Sequence, residues 1–164
     1  MKGARAELRY ARALLSLAKD SGLEKEVNED MEFINGTISG SEDLERMLKS
    51  PVIKSAEKNK ALNALFAENV NAITLGLFNL LEENKRMVML KSIAQQYVII
   101  YDFLKSLDTA IVTTAVPLTA DLEAQILKKV IELTGNKTNI ENIIDPKIIG
   151  GFILRVGDMQ YDAS

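Results

Sequence analysis

Apolar residues recur along the first two thirds of the chain at the three-to-four-residue spacing of helices packed on one side. Residues 4–19 carry this pattern and stop at Gly22. A second helix is predicted over 23–38, closing near Gly36 and Gly40. Ser41 has the character of an N-cap, with Glu42 and Asp43 suited to a positive helix start, and Ser50-Pro51 keeps that third helix short. Three more follow, at about 54–66, 69–82 and 84–106, the last carrying Val88, Leu90, Ile93, Tyr97, Ile100, Tyr101 and Leu104. The period then changes. Residues 109–116 (TAIVTTAV) are β-branched and end at Pro117, which predicts a strand. Residues 119–134 are amphipathic, with Asp121 and Glu123 in the first turn and Gly135 at the end. Strand-like sequence resumes from Lys137. The expectation is a mainly α protein with a small α/β part: a six-helix bundle over 1–105, then a small sheet with one helix over 106–164.

Two of these helices carry more apolar surface than a bundle helix needs. On the first, Ala4, Leu8, Ala11, Leu15 and Ala18 form one stripe. Ala6, Tyr10, Ala13 and Leu17 form a second, nearly opposite, and Arg5, Arg9, Arg12 and Lys19 fill an edge between them. On the fifth, Val70, Thr74, Leu77, Phe78 and Leu81 form one face, and Ala72, Ile73, Gly76 and Leu80 another. Either both helices are central and buried on two sides, or the small residues at 13, 72 and 76 floor a shallow groove that an amphipathic partner helix can enter.

Composition narrows the chemistry. The chain has 164 residues with 47% hydrophobic and 26% charged, and neither Cys nor His. That excludes a disulfide framework, zinc sites built on Cys or His, and Ser-His or Cys-His nucleophile pairs. Residues 1–105 carry 15 basic and 15 acidic groups, and 106–164 carry 5 and 8, which yields the net charge of -3 and no overall pull toward nucleic acid. Basic residues predominate over 1–19 and acidic ones over 20–45, as expected of neighbouring helices that attract. No N-terminal apolar run of signal-peptide type occurs, and no stretch approaches the roughly 20 apolar residues that span a bilayer. The sequons Asn35-Gly36-Thr37 and Asn136-Lys137-Thr138 are read as accidental.

The segment IDPKIIGGFILRVGD, residues 144–158, has three glycines beside an acid. A dinucleotide loop needs Gly-x-Gly-x-x-Gly between strand and helix, and a P-loop needs Gly-Lys-Ser/Thr. Neither is present. Asp145-Pro146 and Gly157-Asp158 read as turns, and Gly150-Gly151 is expected inside a strand, as a bulge or a close backbone approach. Carboxylate pairs such as Glu82/Glu83 or Asp158/Asp162 could in principle do the acid–base work of an enzyme, but adjacent helix residues do not converge, and Asp158 lies beside a turn.

Three segments resemble the delta-subunit family of bacterial F-type ATP synthases, the counterpart of the mitochondrial oligomycin-sensitivity-conferral protein. They are residues 9–18 (RYARALLSLA), residues 80–86 (LLEENKR), similar to the family's Leu-Leu-x-x-Asn-x-Arg, and residues 144–164. The last holds the family's signature: Asp145, Gly150 and Gly151, then Arg155, Gly157 and Asp158, then Asp162 and Ser164. The resemblance spans essentially the whole chain. It implies a non-catalytic stator subunit without cofactor, which links the catalytic head to the peripheral stalk at the cytoplasmic face of the bacterial plasma membrane, attached to the membrane only indirectly. It implies that the alpha subunit's N-terminal helix lies between helices one and five, on Tyr10, Ala13, Gly76 and Leu80. Ala6, Leu17, Ala72 and Ile73 extend that groove by helical geometry. The b subunits of the stalk are the other implied partner, and the C-terminal domain faces them. Two departures stand out. Family members often carry Asn where Gly76 stands, and the family usually continues past the Asp-x-Ser motif into a C-terminal helix, whereas this sequence ends at Ser164. The competing reading is a helix-binding adaptor unrelated to ATP synthase.

Overall fold

The computed structural model describes residues 2–135 and 138–163, without the side chain of Lys2. The second sequon's Asn136 and Lys137, and Ser164 of the C-terminal signature, lie outside the described residues. Among the described residues are seven α-helices, one 3-10 turn and four strands. The chain divides into two compact units, Met1–Tyr101 and Asp102–Ser164.

The first unit holds α1 (Lys2–Asp20), α2 (Glu24–Ser39), α3 (Glu42–Lys49), α4 (Ser55–Phe66), α5 (Ala72–Glu83), a 3-10 turn at Met87–Met89, and most of α6 (Leu90–Ser106). Local chemistry sets these bounds. Ser41 caps α3 by accepting from the Leu44 amide at 3.2 Å, and Asn71 caps α5 by accepting from the Ile73 amide at 3.0 Å. The Asn71 cap starts α5 at residue 72, three residues after the periodicity suggests. Gly36 does not end α2, which runs on to Ser39, because its backbone stays helical until Gly40. The sixth helix departs further from its expected span of 84–106. Asn84 ends α5, Lys85 takes a left-handed φ of 55°, and the Arg86 amide donates back to the Leu81 carbonyl at 2.8 Å. This closing motif separates α5 from α6.

The core is apolar and well ordered by shape. Phe66 on α4 is fully buried, edge-on to Phe33 at 5.5 Å and tilted against Phe78 at 6.0 Å. Met31, Ile34 and Ile38 of α2 and Ile93 and Tyr97 of α6 are fully buried too. The Tyr97 hydroxyl donates to the Glu24 carbonyl at 2.9 Å. Burial first, and the Glu24 carboxylate second, push its phenol well above the usual tyrosine range. Lys58, almost fully buried, donates to the Leu48 carbonyl at 2.8 Å at the end of α3, where a cation suits the helix dipole. On the surface, Lys49 and Lys91 both reach Glu45, at 3.1 and 3.3 Å, and hold its carboxyl below the usual range.

The second unit is a four-stranded sheet in the order β2-β1-β3-β4, with α7 (Ala120–Thr134) as crossover between the parallel strands β1 (Thr109–Thr114) and β2 (Asn139–Ile144). Strand β3 (Phe152–Val156) runs antiparallel to β1 and hairpins into β4 (Met159–Asp162). Ala110 and Val112 of β1 and Leu154 and Val156 of β3 face Ile126 and Val130 of α7 in one cluster. Thr119 caps α7, and Gly135 ends it at φ 76°.

The glycine pair of the 144–158 segment corrects the sequence expectation. Gly150 and Gly151 have φ of 75° and 72°, and β3 begins only at Phe152. They form a turn entering the sheet rather than a bulge within a strand, because two successive left-handed residues cannot continue a ladder. Asp145 organises the same loop. Its side chain accepts from the Lys147 amide at 3.0 Å, and its own amide donates to the Thr114 carbonyl at 2.7 Å. Gly157 turns the β3–β4 hairpin at φ 58°, and a Cβ there would stand 2.9 Å from Leu107 Cδ2. Gly157→Ala combines a strained backbone with a clash, so it is expected to destabilise the second unit by about 1–3 kcal/mol. Urea unfolding followed by amide exchange of β3 measures this.

A candidate helix-binding groove

The two apolar stripes of α1 have different fates. Ala11, Leu15 and Ala18 of the first are buried. The second stays at the surface, with Ala13 exposed and Leu17 54% exposed. The same split holds on α5: Thr74, Leu77, Phe78 and Leu81 are buried, whereas Gly76 is open and Leu80 is 43% exposed. Of the two readings that periodicity allows, burial on both sides within this chain is the one the structure overturns.

The two surface stripes face each other. Tyr10, Ala13, Leu14 and Leu17 of α1 and Ala72, Ile73, Gly76, Leu77 and Leu80 of α5 line one open cavity of about 540 Å³. Its walls are almost wholly apolar. At one end of it Tyr10 lies beside the C-terminus of α5. Small residues at 13, 72 and 76 leave the floor low, and a Cβ built on Gly76 would meet nothing within 4 Å. Seven of the eight groove residues expected from the sequence are thus brought together. Ala6 is not among the lining residues; it stands one turn before Tyr10. Leu14 and Leu77 were not expected, because each sits on the flank of its helix and reaches the cavity only where the two helices meet.

The end at Tyr10 is polar. Asn84 donates its side-chain amide to the Tyr10 hydroxyl at 2.8 Å, and the Arg86 guanidinium lies over the Tyr10 ring at 5.8 Å. The two N-terminal motifs, residues 9–18 and 80–86, therefore meet here. The left-handed Lys85 sets Asn84 and Arg86 on either side of the turn. Strain of this kind, about 1–3 kcal/mol, persists where the surroundings hold it.

The carboxylates singled out from the sequence stand in separate settings. Glu82 accepts from Asn59, which also donates to Asn79 at 2.9 Å, so Glu82 belongs to a tie between α4 and α5. Asp158 lies in the β3–β4 turn, and Asp162 pairs with Ile153 at the end of β4. Arg155 is exposed on β3. Among the described residues no group of three or more His, Cys, Asp or Glu could hold a metal ion. A larger cavity of about 800 Å³ lies between the α3–α4 connection and the end of α5, and mixes Lys54, Lys58 and Lys85 with Glu82 and Glu83.

Residues 6–164 match the family model described as ATP synthase delta (OSCP) subunit. The chain is 52% identical over its whole length to the ATP synthase subunit delta of Christiangramia forsetii, covering 89% of that protein. It is 46% identical to that of Flavobacterium johnsoniae, covering 92% of it, and 36% identical over 156 residues to that of Synechococcus elongatus, covering 87%. In fold it is similar to a chain of the Toxoplasma gondii mitochondrial ATP synthase hexamer, with a TM-score of 0.52 at 22% identity over 92% of this chain and 84% of that one. A family match over residues 6–164, with 52% identity to one delta subunit over the whole chain, places the protein in the ATP synthase delta (OSCP) subunit family, the non-catalytic, stator-linking subunits of F-type ATP synthase.

Proposed function

We propose that the α1–α5 groove receives the amphipathic N-terminal helix of the alpha subunit, and that the chain ties the catalytic head to the b subunits of the peripheral stalk. The observation that carries this reading is the pair of facing apolar stripes left at the surface, with Leu17 and Leu80 about half exposed and Gly76 open between them. An intact monomer gains nothing by exposing such a lined cavity, whereas a partner helix that buries a few large side chains there gains about 1.5–3 kcal/mol from each. Ordering costs are subtracted from that sum, and nanomolar affinity still lies within reach. Gly76 lets the partner backbone approach closely, in the place of a hydrogen bond that an Asn at this position would offer.

The task is affinity and stiffness, not chemistry. Helices with cores of interlocked aromatic rings transmit load with little deformation, since protein interiors compress poorly. In this reading the first unit holds the head, the second faces the stalk, and the chain lies at the cytoplasmic face of the bacterial plasma membrane. No helix among the described residues is long and apolar enough to cross a membrane, so attachment runs through the complex. The basic edge of α1 (Arg5, Arg9, Arg12) steers acidic partner residues, at about 0–1 kcal/mol per exposed pair.

Calorimetric titration with a synthetic peptide of the alpha subunit's N-terminal segment tests the reading. One-to-one binding with a negative heat-capacity change is expected, as apolar surface is buried. Absence of binding at millimolar peptide overturns it.

A further inference from the structure

Helix α5 poses a problem that its hydrophobicity does not solve. Its larger apolar face, with Leu77, Phe78 and Leu81, is buried, but Ile73 and Leu80 stand close enough around the helix to replace Leu77 and Leu81 on a modest rotation. Taking Gly76 as the centre of the groove face, Thr74 lies about 160° away around the helix, pointing into the core, where it is fully buried. A fully buried hydroxyl needs a partner. It has one in Asp30 of α2, itself 8% exposed, whose Oδ2 accepts from Thr74 Oγ1 at 2.7 Å and from the Asn71 amide at 2.7 Å. The Asn71 side chain in turn accepts from the Ile73 amide. The carboxylate thus sits at the positive end of α5 and engages groups on both sides of its first turn.

We infer that the Asp30–Thr74 pair is the element that sets the rotation of α5, so that the Ala72–Ile73–Gly76–Leu80 face and not its opposite is presented to the bound helix. Asp30 and Thr74 are positioning residues, and the inference rests on the groove reading above. Rotating α5 to bury the groove face would carry Thr74 to the surface and leave the Asp30 carboxylate buried and short of donors, a costly arrangement. Apolar packing opposes a half-turn as well, since it would carry Phe78 away from Phe66; smaller rotations exchange Ile73 and Leu80 for Leu77 and Leu81 at less cost, and against those the pair supplies the directional constraint. Asn59 holds the second half of α5 through Asn79 and Glu82, at partly exposed groups. The first half depends on Asp30.

The test separates stability from presentation. In the double variant Asp30→Leu/Thr74→Val both side-chain partners are replaced together, and the Asn71 amide, which loses its acceptor, is only partly buried and within reach of water. The expected result is a cooperatively folded protein whose Ala72, Ile73 and Gly76 amides give more than one NMR environment, and whose affinity for the alpha-subunit peptide falls about tenfold or more. Thr74→Ser, which keeps the hydroxyl, is expected to retain wild-type affinity and a single set of resonances. Ile38→Val, at a fully buried site on α2, serves as a destabilised control with affinity unchanged. A double variant with one set of resonances and wild-type affinity overturns the inference. If it fails to fold, Thr74→Val against Thr74→Ser decides by the same two readouts. Should the wild type not bind the peptide, the groove reading fails, and the resonances of Ala72–Gly76 in the free variants still decide the rotation.

Discussion

Gly76→Trp is expected to leave the bundle folded and to weaken binding of the partner helix by about a hundredfold or more. The indole would project from the floor of the groove, where a Cβ on Gly76 meets nothing within 4 Å, into the space between Ala13 and Leu80. No core residue is displaced, and replacing a mid-helix Gly recovers a few tenths of a kcal/mol of helix propensity. The melting temperature is therefore expected to hold or rise. A bound helix would have to stand off by the thickness of a ring and lose its contacts with Ala72, Ala13 and Gly76. A loss of about a hundredfold or more in affinity follows, roughly 2.7 kcal/mol. Gly76→Ala is the companion: it should stabilise the bundle by about 0.5–1 kcal/mol and change affinity little. Calorimetry with the alpha-subunit peptide and thermal melts on the same samples separate the two effects. Undiminished binding to the tryptophan variant would mean that the occupant docks elsewhere.

Phe66→Ala carries the largest expected loss of stability. The ring is fully buried between Phe33 of α2 and Phe78 of α5, and so joins three helices at one point. Removing it costs about 3–5 kcal/mol in lost burial and cavity. The two aromatic pairs add about 0.5–1.5 kcal/mol each. Against a typical domain stability of about 5–15 kcal/mol this consumes much of the total. Chemical denaturation should show the midpoint falling steeply. A companion Phe66→Leu should recover a good part of the loss, since it restores most of the volume but not the ring geometry. A drop of under about 1 kcal/mol for the alanine variant would contradict the packing described, because no cavity of that size closes for free.

Much of the architecture was legible because its signals are local. Spacing of apolar residues marks a helix whatever lies beside it, and Ser41 and Thr119 act as caps through bonds to amides three residues away. The change to β-branched residues at 109 marks β1 in the same way. The break between α5 and α6 was legible, but not its width: α6 was expected from residue 84 and begins only at Leu90. That width depends on Lys85 adopting a left-handed φ, which a lysine rarely does and no spacing announces. The Gly150-Gly151 pair was recognised as special but misplaced within a strand, since Gly signals freedom without saying which turn uses it.

The groove divides along the same line. Sequence alone determined that α1 and α5 each carry a second apolar stripe, because helical periodicity is a property of one chain segment and needs no neighbour. It also determined what the groove is made of, and excluded the chemistry of His and Cys. Tertiary structure decided that the two stripes face each other across an open cavity, that Leu14 and Leu77 join them, and that Ala6 does not. It also brought Asn84 and Arg86 to Tyr10, across more than seventy residues, and Asp30 to Thr74 across more than forty. Periodicity fixes where a side chain sits around its own helix axis. Which way that axis is turned, and what it meets, is set by buried polar pairs and close packing between segments remote in sequence.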